Sequence, residues 1–123
     1  MAAGKINLQC DTAVRDILCT AIRDYAHAAY PAGGSDCAQV ARYTLLDLAR
    51  EIEEGIREDG GSVLISRRPR AMIKAALEYY FDRLDQAQQD TSTHRRKLMA
   101  GLLKEQAVSR VELDAAQAAD AAA

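Results

Sequence analysis

The segment Lys5-Ile6-Asn7-Leu8-Gln9-Cys10-Asp11 alternates polar and apolar residues without a break, in a chain whose other apolar residues recur mostly at helical spacing. Successive side chains of a strand point to opposite faces. Lys5, Asn7 and Gln9 therefore share one face, and Ile6, Leu8 and Cys10 the other. A lone strand cannot satisfy its own backbone N–H and C=O groups and needs a neighbour. The rest of the chain offers few strands, so the expected neighbour is the same segment of a second copy. The polar face holds a cation and two side-chain amides, the groups that read base edges in a DNA groove.

A chain of 123 residues, 49% of them hydrophobic, is expected to fold as one domain. Much of that apolar fraction is alanine, with one Phe and no Trp, which predicts a thin core and favours oligomerisation. The net charge of −2 argues against a non-specific nucleic-acid coat protein. Charge is instead arranged in blocks. Residues 51–66 carry five acids against one Arg, whereas Arg67, Arg68, Arg70 and Lys74 follow without an acid among them. Arg95, Arg96 and Lys97 form a further basic run.

The scattered thiols of Cys10, Cys19 and Cys37 have no CxxC spacing and fit a reducing compartment. No leader is evident, and no apolar run approaches the roughly 18–20 residues of a membrane span. The expectation is a soluble, cytoplasmic protein without a membrane partner.

Asp11 or Thr12 can cap a helix that runs to about Ala29, with Val14, Ile17, Leu18, Ala21, Ile22 and Tyr25 as its apolar stripe. Pro31 and Gly33-Gly34 end it. Ser35 or Asp36 caps a second helix, roughly 36–58, on the stripe Ala41, Leu45, Leu48, Ile52 and Ile56. Val40, Tyr43 and Leu46 widen that stripe, which predicts burial on more than one side. Asp59-Gly60-Gly61-Ser62 marks an internal boundary, and Val63-Leu64-Ile65 reads as a short strand or as the approach to a third helix at about 69–90. A fourth helix is expected from Ser92 or Thr93 to beyond Val108, with a frayed or disordered tail over 115–123. The predicted organisation is thus residues 4–58 as one region, 59–68 as a linker, 69–114 as a two-helix extension, and the tail.

Strand, amphipathic helix, Gly-containing turn and second helix, carried by residues 5–11, Gly34-Ser35, Val40-Ala41-Arg42 and Leu45, resemble a ribbon-helix-helix DNA-binding domain of the Arc and MetJ type over residues 4–54. The resemblance implies a mainly α fold, an N-terminal strand plus two helices in an intertwined homodimer, with the helical extension added. It implies base contacts from Lys5, Asn7 and Gln9 of a paired ribbon in the major groove. It also implies a phosphate held by the amides of Gly34, Ser35 and Asp36 at a helix N-terminus.

Arg67, Arg68 and Arg70, with Lys74, read either as further phosphate contacts, as a solvated loop and helix start, or as partners of the acidic end of the second helix. The same choice applies to Arg95-Arg96-Lys97, whose position near a helix start is disfavoured by the helix dipole and hints at an external anion. Tyr79, Tyr80 and Phe81 read as a base-stacking platform or as packing. His27 and His94 stand apart from other metal-ligating residues, so no metal or cofactor is expected. No nucleophile elbow, metalloprotease, P-loop or dinucleotide motif is present, and no enzyme activity is expected. Two functions remain: a homodimeric, sequence-specific DNA-binding regulator (a repressor or a plasmid or phage accessory protein), or a small helical protein-interaction module or inhibitor of phage or plasmid type. In either case the extension offers a surface for a protein partner.

Overall fold

The alternating segment forms strand β1 (Lys5–Gln9), but its neighbour comes from its own chain. β1 pairs antiparallel with β2 (Ser62–Ser66), matching Lys5 with Ser66, Asn7 with Leu64 and Gln9 with Ser62. This corrects the expected pairing with a second copy. The turn around Gly60, at φ 82°, lets the chain reverse there, and Gly61 donates to Glu58 O at 3.1 Å. The run Val63-Leu64-Ile65 thereby resolves as a strand inside the supposed linker.

The structure, a computed structural model, describes residues 4–88 and 91–122. After β1 come α1 (Thr12–Ala29), α2 (Asp36–Gly55), β2, α3 (Arg70–Gln88), α4 (Thr93–Ala100), a 3₁₀ turn (Gly101–Lys104) and α5 (Arg110–Ala122). Among the described residues the fold is mainly helical, with five helices around one short two-stranded sheet. No helix among the described residues is long and apolar enough to cross a membrane.

Ile6 and Leu8 of β1 and Ile65 of β2 are fully buried on the inner face of the sheet, as the alternation requires. The expected stripes meet them: Val14, Leu18 and Ile22 of α1, Leu45 and Ile52 of α2, and Ile73, Ala76 and Phe81 of α3 are buried. Val40 and Tyr43 depart from expectation, at 66% and 60% exposure, because no element among the described residues covers their side of α2. Tyr25 packs against Tyr79 at 5.9 Å between ring centres, and Tyr80 against Phe81 at 5.2 Å, so these rings of α3 are packed against their neighbours.

The expected fourth helix breaks. α4 ends at Ala100, Glu105 takes a left-handed conformation at φ 62°, and α5 begins at Arg110. Its start has a physical cause written in Ser109-Arg110-Val111-Glu112. Glu112 N donates to Ser109 Oγ, and Ser109 N donates to Glu112 Oε1, a reciprocal capping box. The tail through Ala122 is therefore helical, where fraying was expected.

Asp11 caps two helices at once. Its Oδ1 accepts from Val14 N at the start of α1, and its Oδ2 accepts from Arg110 N at the start of α5. Asp11→Ala should lower unfolding free energy by about 1–2 kcal/mol, the scale of a lost N-cap, and loosen α5 as well. Hydrogen exchange of α5 amides checks the second effect. At Gly55 an added Cβ would lie 2.3 Å from Val63 Cγ2 and 2.5 Å from its Cβ. Gly55→Ala should therefore cost about 1–3 kcal/mol in urea denaturation, instead of the gain of about 1 kcal/mol that Ala gives in an exposed helix.

Candidate nucleic-acid interface

The two strands make a ribbon whose outer face carries Lys5, Asn7 and Gln9 on one strand and Ser66, Leu64 and Ser62 opposite them. Lys5 and Gln9 are exposed and Asn7 is half-buried. The three residues expected to read bases are thus on one surface, as their spacing implied. The main chain of Asn7 is less free than its side chain, since its N–H donates to Glu105 Oε2 at 3.4 Å.

Arg67, Arg68, Arg70 and Lys74 are all exposed at the end of β2 and the start of α3. Arg70 and Lys74, four residues apart on α3, share a face. Arg67 is tied to the ribbon: its N–H donates to Gly4 O at 2.8 Å and its Nη2 reaches Lys5 O at 3.5 Å. None of these cations, nor Lys5, has a carboxylate within salt-bridge distance among the described residues. Arg68 lines a cleft with Asp47 and Glu51 of α2 without bonding either.

Six of the eleven other cations are paired with acids, and Arg42, Arg57, Arg83, Lys97 and Lys104 have no carboxylate within salt-bridge distance among the described residues. Arg15 bridges Asp16, Arg23 bridges Glu53, Arg50 bridges Asp47, and Arg110 bridges Asp114. Arg96 is held by Glu78, Asp82 and Asp85, all on α3, at 2.6 to 2.9 Å. The run Arg95-Arg96-Lys97 is therefore chiefly an internal fastener, and its position at a helix start needs no external anion. Arg95 is buried and donates from Nε to Asp120 Oδ2 at 2.9 Å.

The α2 N-terminus is not brought to this surface. Gly34, Ser35 and Asp36 form the exposed tip between α1 and α2. Ser35 Oγ already caps the helix by accepting from Ala38 N at 3.2 Å. Thr44 and Asp47 of α2 lie beside Ser66 and Arg68, so Asp36 sits about 12 Å or more farther along the axis at about 1.5 Å per residue. The tip and the ribbon are separate places.

Asp120 is the functional-looking residue that sequence reasoning missed. It is completely buried, and its carboxylate accepts from His94 N, His94 Nδ1, Arg95 N and Arg95 Nε. It caps α4 from a different helix, because Ser92 donates its hydroxyl to Asp85 instead of capping. Burial pushes the carboxyl up, but the four hydrogen bonds outweigh it and hold it at about 2. The only sequence signal was a single acid within an alanine-rich tail. Burial, the larger effect, pushes the Cys10 and Cys19 thiols up to about 11 and about 12, which keeps both protonated. No group of His, Cys, Asp and Glu among the described residues could hold a metal ion.

No protein-family model, no curated protein and no solved structure matches this chain. The arrangement itself therefore carries the chemistry: a ribbon face of five polar residues around Leu64, beside a cluster of unneutralised cations, which can bind an anionic surface.

A carboxyl held below its ordinary 3.8 in the folded state stabilises the fold above that pH and loses its contribution as pH falls toward about 2. Asp120→Asn should lower stability at neutral pH by about 2 kcal/mol. It should also flatten the decline in unfolding free energy between about pH 4 and pH 2. Urea titrations at stepped pH check both, and an unchanged acid limb would remove Asp120 from the account.

Proposed function

We propose that this protein binds double-stranded DNA through the outer face of the β1–β2 ribbon and the adjoining cations, as a DNA-binding regulator in place of an enzyme. The observation that carries the reading is the partition of charge. Lys5, Arg67, Arg68, Arg70 and Lys74 are exposed and unbridged in one region, six other arginines are bridged to acids among the described residues, and the remaining unbridged cations, Arg42, Arg57, Arg83, Lys97 and Lys104, are spread over separate elements. Clustered cations repel one another and gain most from a polyanion whose counterions they release. Two strands about 4.8 Å apart fit a major groove about 12 Å wide. In this reading Lys5, Asn7 and Gln9 reach base edges, and Arg67, Arg68 and Arg70 hold phosphates.

The likeness to the ribbon-helix-helix class then lies in the ribbon's use of alternate polar residues. The pairing differs, since one chain supplies both strands, and the Gly34–Asp36 tip contributes no phosphate contact to this face. A second reading, a protein-docking module, is favoured by one observation: Val40 and Tyr43 are exposed side by side on α2.

Fluorescence anisotropy with a labelled duplex separates the two. With about four phosphates neutralised, log affinity should fall with log salt at a slope near −4, or about 10²-fold between 50 and 200 mM salt. Arg67→Ala, Arg68→Ala and Arg70→Ala should each reduce that slope by about 1. Asn7→Ala should leave the slope unchanged while relaxing preference among duplexes selected from a random pool. Absence of binding at 50 mM salt, with Tyr43→Lys disrupting a protein complex, would favour the docking reading.

A further inference from the structure

The backbone of the ribbon leaves one edge open. Arg67 N donates to Gly4 O, and Cys10 N to Gly61 O. In an antiparallel ladder the bonded pairs alternate, so Ile65 and Val63 turn their main-chain groups toward β1 while Ser62, Leu64 and Ser66 turn theirs away. On β1 the corresponding outward groups are taken: Val108 N donates to Gln9 O at 3.1 Å, and Asn7 N donates to Glu105. On β2 the outward N–H and C=O groups of Ser62, Leu64 and Ser66 meet no partner among the described residues. The five residues of β2 include no charge, proline or bulge of the kind that blunts an exposed edge.

We infer that this edge of β2 pairs with β2 of a second copy of the chain, antiparallel about a two-fold axis at Leu64. The sequence of the strand is the first reason. Ser62-Val63-Leu64-Ile65-Ser66 reads nearly the same in both directions. Pairing centred on Leu64 sets Ser62 against the partner's Ser66, Val63 against the partner's Ile65, and Leu64 against the partner's Leu64. A two-fold interface requires that self-complementarity. Burial is the second reason, since Leu64 is 52% exposed on the ribbon's outer face and would gain its own counterpart as a cross-strand neighbour.

Charge is the third. The same register carries Arg67 and Arg68 toward the partner's Gly61 and the partner's Gly60, next to the partner's Glu58. Glu58 is exposed and has no salt-bridge partner among the described residues. The product is a four-stranded sheet in the order β1, β2, β2, β1. The pairing is an alternative to DNA binding by this face, because Arg67 and Arg68 cannot serve the partner's Glu58 and phosphates at once and four strands, about 14 Å across, are too wide for a major groove about 12 Å wide; it is tested without DNA.

The full chain should sediment at twice its 13.4 kDa. Leu64→Pro removes an N–H that β1 does not use, so the circular dichroism of the fold should persist. Its dimer dissociation constant should rise at least ~10-fold. Register is tested by cross-linking in a Cys37→Ser background, where the remaining thiols, Cys10 and Cys19, are buried. Leu64→Cys should form an intermolecular disulfide, since bonded antiparallel pairs lie about 5.5 Å apart between Cα atoms. Ser62→Cys should not, because the two copies of that position lie four residues out of register, about 13 Å. A chain that stays monomeric up to ~1 mM overturns the inference. So does a dimer that Leu64→Pro leaves intact, or one that cross-links equally at both positions. Should Leu64→Pro fail to fold, the contrast between the two cysteine variants decides alone.

Discussion

The hydrogen bonding of β1 on both of its edges is the constraint on which the other elements depend. One edge is bonded to β2 and the other to the Glu105–Val108 segment, so a strand near the N-terminus gathers the middle and the end of the chain. Because Ile6 and Leu8 are buried beneath it, that gathering is also where the core closes over α1 and α2. Asp11, immediately after the strand, extends the same logic by capping α1 and α5 together. Loss of β1 would thus free two edges, two helix starts and the centre of the core.

The C-terminal part is organised by charge more than by apolar area. α5 contributes Leu113 and little else to the core, and its alanine face has small side chains to pack. What holds it is Asp120 at the N-terminus of α4, the Asp11 cap, and the Ser109–Glu112 box at its start. Arg96 then joins α4 to three acids of α3. A buried carboxylate with four donors is stable in place, and costly to leave unpaired. These contacts use up charges that a reading of composition would assign to the surface.

That internal use is why net charge was a poor guide to the candidate site. A chain at −2 still presents a local basic region, because the acids of α3 and α2 are directed to arginines elsewhere. The Arg67–Lys74 segment stays unneutralised for geometric reasons: Asp47 and Glu51 share only an open cleft with Arg68, and Glu78, one turn beyond Lys74 on α3, is bridged to Arg96. Two basic runs that looked alike in sequence therefore have opposite fates. One is a fastener, and the other is surface.

Periodicity alone determined β1 and its two faces, the extents of α1 and most of α2 and α3, and the inward stripes that pack between them. These are local properties, set by which side of a strand or helix each side chain must take. The capping box at Ser109 was equally local and legible, though masked by an apolar pattern that ran through it. Tertiary structure alone decided the partner of β1, because a short apolar run such as Val63-Leu64-Ile65 suits a strand or a helix approach until an edge is available to bond it. It also decided which arginines are spent and which are free, and that Asp120 caps a helix 25 or more residues away in sequence. Ion pairs and strand partners depend on distances between elements, and spacing along a chain does not encode those.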